Sequence, residues 1–200
     1  MGMYATMYRL GYTPWERYGS AAASSIAARL DREEAGRSRP LGRALDLGCG
    51  RGQYTQELVS RGWEVVGVDN VPKAIEAARR KSIPGARFEV ADVTHLDAVE
   101  LGTFDFVLDI GCFQHLDAEQ RAAAGRGITA LANPGATVLM MEFSRPTPIR
   151  SFAGGVAPEE VGTALPGWEM LGVEDAETAG LDWPMSRMQP QWYRLRRTDS

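Results

Sequence analysis

Residues 43–52 read Arg-Ala-Leu-Asp-Leu-Gly-Cys-Gly-Arg-Gly, and the reading of the whole chain turns on this stretch. A short apolar run carrying Asp46 passes into glycines at 48, 50 and 52, and a helix is expected to begin at Gln53 or Tyr54. Strand, glycine turn and helix N-terminus together make a cradle for a small ligand. Glycine lacks a Cβ, so the backbone turns tightly and lets a ligand come close, while the first helical turn offers unpaired N–H groups.

From this stretch toward the C-terminus, strands and helices alternate. Residues 44–47 form the first expected strand, and residues 54–60 a helix with Leu58 and Val59 toward the sheet and Gly62 as its stop. Residues 64–69 form a second strand ending in an acid. Pro72 suits the first turn of the next helix, in which Ile75, Ala77 and Ala78 are small enough to pack closely. Residues 87–91 and 104–110 are the third and fourth strands, the latter apolar as a central parallel strand must be. Asp117 and Gln120 make a capping-box pattern for a helix reaching residue 131, which Gly125 and Gly127 weaken by roughly 1 kcal/mol each. Asn133-Pro134-Gly135 reads as a turn before a fifth strand over 137–143, and a short helix starts near Pro158. Residues 168–177 and 191–197 read as the last two strands. The alternation implies an α/β domain with a mostly parallel sheet covered on both faces.

Toward the N-terminus, Tyr4, Tyr8, Tyr12, Trp15 and Tyr18 recur at intervals of three or four, one face of a helix interrupted at Thr13-Pro14. Residues 1–40 read either as a helical cap packed on the body or as a lid over a ligand, with residues 24–34 a helix turning Ile26, Ala27 and Leu30 inward.

The chain has 200 residues, 44% of them hydrophobic, enough for one domain but not two. A net charge of −4 argues against a general nucleic-acid surface and for a small-molecule partner. Cys49 and Cys112 lack the spacing of a metal site, so no metal is expected, and neither a leader nor a membrane span is apparent. A soluble cytoplasmic protein, monomeric or homodimeric, is the expectation.

Two cofactor classes use such a cradle, dinucleotides and S-adenosylmethionine. A dinucleotide fingerprint needs a small third residue, and counting from Gly48 and Gly50 that position is Gln53. An acid, one residue, then Gly-x-Gly-x-Gly fits instead, as Asp46, Gly48, Gly50 and Gly52. This resembles the first motif of class I S-adenosylmethionine-dependent methyltransferases. Asp69 ending the second strand, Asp92 after the third, and Phe104-Asp105 and Asp109 in the fourth extend the resemblance over residues 43–143. The leader Tyr-Arg-Leu-Gly-Tyr-Thr-Pro-Trp-Glu is similar to that of small actinobacterial enzymes of this family acting on small molecules.

The resemblance implies a Rossmann-like seven-stranded sheet whose last strand is antiparallel, with the cofactor core at 43–143 and acceptor-side loops and a final hairpin at 144–200. It also implies a donor site. Asp46 would lie below the methionine part with Gly48, Cys49, Gly50 and Gly52 approaching through backbone, and Tyr54 packing nearby. Asp69, beside Asn70, would accept both ribose hydroxyls. Asp92 would accept from the adenine amine, with Val93 against the ring, and Asp109, Ile110 and Gly111 would border the methionine moiety. Arg51 is a further candidate for the methionine carboxylate. S-adenosyl-L-homocysteine would be the product.

On the acceptor side, methyl transfer from an activated sulfonium needs alignment above all, and a base only where the acceptor must lose a proton. His115 stands in the loop after the fourth strand and is the candidate for orienting the acceptor or serving as that base, whereas His95 reads as part of a loop near adenine. Phe113 and Gln114 are candidate pocket residues. Arg145 and Arg150 suit an anionic acceptor, and Tyr8, Trp15, Phe152, Trp183, Met185 and Met188 a lipophilic or aromatic one. The expected reaction is methylation of an oxygen on a hydroxylated aromatic, heterocycle or lipophilic acid. A noncatalytic adenosyl-ligand binder is the alternative, and a nicotinamide oxidoreductase is disfavoured by Gln53.

Overall fold

The computed structural model describes residues 22–144, 155–178 and 189–198, with Thr6 alone ahead of them. The elements in chain order are α1 (Ala23–Glu34), β1 (Arg43–Leu47), α2 (Gln53–Arg61), β2 (Glu64–Asp69), α3 (Pro72–Arg80), β3 (Ala86–Val90), β4 (Phe104–Ile110), α4 (Ala118–Leu131), β5 (Ala132–Phe143), α5 (Pro158–Ala164), β6 (Trp168–Asp175) and β7 (Pro190–Arg197). Seven strands form one sheet in the order β3-β2-β1-β4-β5-β7-β6. The strands β1 to β5 pair in parallel and β7 runs antiparallel to both of its neighbours, as the sequence implies.

Period-two side-chain alternation divides the core between the two faces of this sheet. Ala44, Phe106, Leu108, Leu139 and Met141 turn toward Ile26 and Leu30 of α1 and Leu58 of α2. Leu45, Leu47, Val107, Val138 and Met140 turn the other way, toward Ala124 and Ile128 of α4 and Val161 and Ala164 of α5. A parallel strand covered on both faces has no polar side, which is why residues 104–108 carry only Asp105 among apolar residues.

Three details depart from the sequence reading. In α3 the inward residues are Ala74, Ile75 and Ala78, with Ala77 only partly covered. Asn133-Pro134-Gly135 lies inside β5: Phe104 pairs with Ala132 and Phe106 with Thr137, so two steps along β4 face five along β5, and the extra residues bulge there. The glycines of α4 do not interrupt it. A Cβ on Gly125 would lie 1.8 Å from the Ala164 carbonyl oxygen, and one on Gly127 would lie 3.1 Å from Leu96, so both mark close approaches by neighbouring elements. Among the described residues no helix is long and apolar enough to cross a membrane.

The chain winds from β1 out to β3 and then crosses back to β4, so the loops after β1 and β4 diverge from adjacent strands. In open sheets of this kind a ligand crevice opens at that point, beyond the carboxyl ends of the strands.

Candidate functional site

The glycine loop after β1 takes its shape from three left-handed residues. Gly48, Gly50 and Gly52 have φ of 63°, 54° and 74°, a region that costs other residues energy. Space is equally restrictive: a Cβ on Gly52 would sit 2.8 Å from the Phe88 ring, and one on Gly48 would sit 3.0 Å from the Cys112 Cβ. The β1 and β4 loops therefore touch at Gly48. Cys49 turns its thiol into a cluster with Ile75, Ala78 and Phe88, where burial pushes its pKa well up, and what it offers toward a ligand is backbone.

Asp69 closes the cradle from β2. Its Oδ2 accepts the Gly50 N–H at 3.0 Å and its Oδ1 the Val71 N–H at 2.8 Å. Each carboxylate oxygen has two lone pairs, so one remains on each after these bonds. The residue is 8% exposed and stands at the carboxyl edge. Burial raises its pKa, and the two backbone donors oppose that rise. Two spare acceptors held side by side fit a vicinal diol, the group that the ribose of an adenosyl cofactor presents. Asn70 beside it is exposed.

Asp46 lies beneath the loop, 2% exposed, accepting a 2.5 Å hydrogen bond from the Thr55 hydroxyl. Desolvation pushes its pKa up to about 7; Thr55 opposes this, and the neighbouring carboxyls of Asp109 and Asp69 add to it. Tyr54 is half-buried against the cluster on the α1 and α2 face, and Arg51 is half-buried at the loop itself.

After β3, Asp92 is exposed. Its Oδ1 accepts from the Thr94 N–H at 2.9 Å and the Thr94 hydroxyl at 2.7 Å. Partial burial alone would raise its pKa, but the Thr94 hydrogen bonds and His95 bring it below the usual value. Val93 is half-buried against the main core. The other histidine, His95, is exposed, its Nδ1 2.8 Å from the Thr94 hydroxyl.

The loop after β4 is held from inside. Asp109, 1% exposed, accepts the Cys112 N–H at 2.8 Å, and Glu142 of β5, 0% exposed, accepts the Gln114 N–H at 2.9 Å. Gln114 Oε1 in turn accepts the Phe143 N–H at 2.7 Å. Gly111 has φ of 80° and donates its N–H to the Met141 carbonyl, while Ile110 before it is half-buried.

Phe113 and Gln114, expected to line an acceptor pocket, are placed otherwise. Phe113 is buried in the core because its ring is apolar, and Gln114 braces the loop against β5 through its Oε1 and its backbone N–H. His115 is half-buried, and desolvation lowers its pKa to about 4. Its Nε2 stands 3.4 Å from Gln114 Nε2.

Tyr8, Trp15, Arg145, Arg150, Phe152, Trp183, Met185 and Met188 lie outside the described residues. Among the described residues no cluster of His, Cys, Asp or Glu is arranged for a metal, and Cys49 and Cys112 are free thiols. Two contributors escaped the sequence reading. Thr55 carries no signal beyond its position in a helix. Glu142 does carry one, an acid inside the apolar run Val138-Leu-Met-Met-Glu-Phe143.

Comparison with known proteins agrees with this geometry. Residues 44–135 match the family model described as a methyltransferase domain. The 2-heptyl-1-hydroxyquinolin-4(1H)-one methyltransferase of Mycobacteroides abscessus is 30% identical over 108 residues, 52% of this chain and 47% of the relative. The ubiquinone biosynthesis O-methyltransferase of Xanthomonas campestris is 29% identical over 141 residues, 69% of this chain and 58% of the relative. The chain thus spans about half the length of the curated relatives it matches. Among solved structures, the 1,6-didemethyltoxoflavin-N1-methyltransferase of Burkholderia thailandensis superposes with a TM-score of 0.73 at 22% identity, over 98% of this chain and 86% of that one. It was crystallised with 1,6-didemethyltoxoflavin and S-adenosylhomocysteine bound, and at that identity it bears on fold alone. The seven-stranded order and the glycine loop thus accompany a match to the methyltransferase domain model over Ala44 to Gly135, on a Rossmann-like scaffold.

Proposed function

We propose that this chain transfers a methyl group from S-adenosylmethionine to a small-molecule acceptor, at an oxygen of a hydroxylated aromatic, heterocycle or lipophilic acid. The observation that carries the donor half is Asp69, whose two oxygens are fixed by Gly50 and Val71 with a lone pair spare on each, beside a loop whose glycines hold the backbone open. The names of the two curated relatives, one built on a hydroxyquinolinone and one an O-methyltransferase, support the acceptor half.

The cofactor supplies a sulfonium-activated methyl group. In this reading Asp69 holds the ribose diol, and the backbone of residues 48–52 flanks the methionine end together with Ile110 and Gly111. Asp92, with one oxygen engaged by Thr94, keeps the other for an adenine amine, against Val93. Asp46 supports the loop from below through Thr55. Holding donor and acceptor in line accounts for most of the rate such a site needs, because orientation alone is worth about 7 to 11 kcal/mol in favourable cases.

His115 is kept neutral by burial at physiological pH. A neutral imidazole accepts a hydrogen bond from an acceptor hydroxyl and so aims the oxygen lone pair. With a pKa near 4 it is a poor sink for a whole proton before the methyl moves.

The test is a labelled-methyl screen of the purified chain against phenols, quinones, heterocycles and fatty acids, with S-adenosylhomocysteine measured in parallel. Label on an oxygen of at least one class is the expected result. Thermal stabilisation by S-adenosylhomocysteine without transfer to any class would favour a noncatalytic binder, and stabilisation by NADH alone would overturn the donor assignment.

A further inference from the structure

We propose that Asp109 and Glu142 hold one proton between them, and that this carboxyl pair is the positioning device that sets the loop after β4 beneath the acceptor. The second clause rests on the function proposed above; the first does not.

The pair is fully interior. Asp109 and Met140 are register partners across β4 and β5, so Asp109 and Glu142, two residues beyond Met140, share one face of the sheet. That face is apolar, lined by Val107, Val138, Met140, Phe113 and Tyr193. One oxygen of each acid takes a loop N–H, Cys112 to Asp109 and Gln114 to Glu142. The other oxygens, Asp109 Oδ2 and Glu142 Oε1, are buried, and as carboxylates neither has a donor, while the more distant carboxyls of Asp69 and Asp92 also raise the Cys112 pKa. Two ionised carboxyls facing one another in an apolar interior repel, and each would lack a partner. A proton on Glu142 donated to Asp109 satisfies both atoms at once.

The electrostatics agree in direction. Burial raises both groups, and the hydrogen bond between them then lowers Asp109 and raises Glu142, which leaves the proton on Glu142. The titratable neighbours are Asp46 from β1, Cys112 within the loop and Tyr193 from β7, each pushed toward its neutral form by burial above all, with Asp109 or Glu142 adding to the shift and, at Asp46, the Thr55 hydrogen bond opposing it. Neutral His115 sits on the far side of Gln114. The nearest cation on α4, Arg121, reaches the Phe113 carbonyl and is paired with Glu160. A shared proton is therefore the local means of neutralising one charge, and its loss at high pH would release the loop.

The experiment compares the full-length wild type with Glu142→Gln, whose amide donates permanently and still accepts from Gln114, and with Glu142→Met, which keeps the bulk and loses both roles. In difference infrared spectra Glu142→Gln is expected to remove one protonated-carboxyl band, distinct from the band that Asp46→Asn removes. Absence of such a band overturns the shared proton. In urea titrations wild type is expected to lose stability as pH rises above the ordinary glutamate value, and Glu142→Gln to lack that loss; parallel curves overturn it as well. Amide exchange at Cys112 and Gln114 is expected to quicken at least tenfold in Glu142→Met and to stay protected in Glu142→Gln, and equal protection in both overturns the positioning role whether or not an acceptor is known. With an acceptor in hand, Glu142→Met is expected to lower kcat about tenfold while S-adenosylhomocysteine affinity stays within twofold, and Glu142→Gln to restore kcat and to lack any fall in rate that wild type shows as Glu142 ionises. An equal fall in affinity and kcat would assign the pair to general stability instead. A chain that methylates nothing would sink the proposed function and leave the spectroscopic, stability and exchange results to decide the pair.

Discussion

The loops after β1 and β4 touch at Gly48 and Cys112, and both are tied down by carboxyl oxygens that accept backbone N–H groups, yet the two end in opposite states. Around the β1 loop, Asp69 takes two N–H groups and still faces the crevice with spare lone pairs. In the β4 loop, Asp109 and Glu142 take two N–H groups and keep their remaining oxygens buried without a donor. A spare acceptor at an opening is available to a ligand; the same spare acceptor in the interior must be closed by a proton. One hydrogen-bonding device thus leaves spare acceptors at the edge of the β1 loop and a closed brace inside the β4 loop.

The comparison is broken most forcefully at Asp46, a carboxyl on the donor side that resembles the acceptor side in being buried. Its pKa is raised from 3.8 to about 7 in the fold, so its stabilising form is the protonated one. Stability from this group is complete below about pH 4 and drains away as pH rises through 7. Relative to Asp46→Asn, which keeps the shape without the charge, wild type is expected to lose on the order of 4 kcal/mol across that window. Urea unfolding of both proteins at several pH values measures the difference, and parallel curves would mean that Asp46 is ionised in place without penalty.

At Asp69 a smaller effect is expected, and on affinity. Asp69→Ala removes the two spare acceptors together with the anchors for Gly50 and Val71, and should weaken cofactor binding by about 1.5 to 3 kcal/mol. Calorimetry with S-adenosylhomocysteine checks it, and an unchanged affinity would defeat the placement of the ribose. Because Asp109 and Glu142 face inward, Glu142→Gln in the same assay is expected to change affinity less than twofold, which sets the two loops apart.

The glycine loop was legible in the sequence because it is written in backbone conformation. Gly48, Gly50 and Gly52 are required by positive φ and by the closeness of Cys112 and Phe88, and an acid at the end of β2 is a local signal. The mostly parallel sheet follows from the alternation of strands and helices, and its reversed last strand from the resemblance. The acceptor side was less legible because its residues are assigned by contacts between distant segments. Gln114 reads as a pocket residue from its place in the loop, but Glu142 and Phe143, 28 and 29 residues further on, decide that it is a brace. Gly125 and Gly127 look like weak points in α4 until Ala164 and Leu96 are seen against them. Helix propensity cannot report a neighbour brought in by the fold.

The smallest effect is expected at His115, and it distinguishes orientation from base catalysis. Burial holds its pKa at about 4, so the neutral ring fraction barely changes above pH 6. A residue that orients through one neutral hydrogen bond contributes about 0.5 to 1.5 kcal/mol, a rate loss of roughly 2- to 13-fold for His115→Ala. That loss should be the same at pH 6 as at pH 8. A general base titrating near neutrality would act otherwise: the wild-type rate would climb between those pH values, the variant's would not, and the gap would widen with pH. Measuring kcat for both proteins over this range decides the matter. A widening gap would mean that bound acceptor raises the histidine's pKa, and a near-normal rate at every pH would remove His115 from the acceptor site.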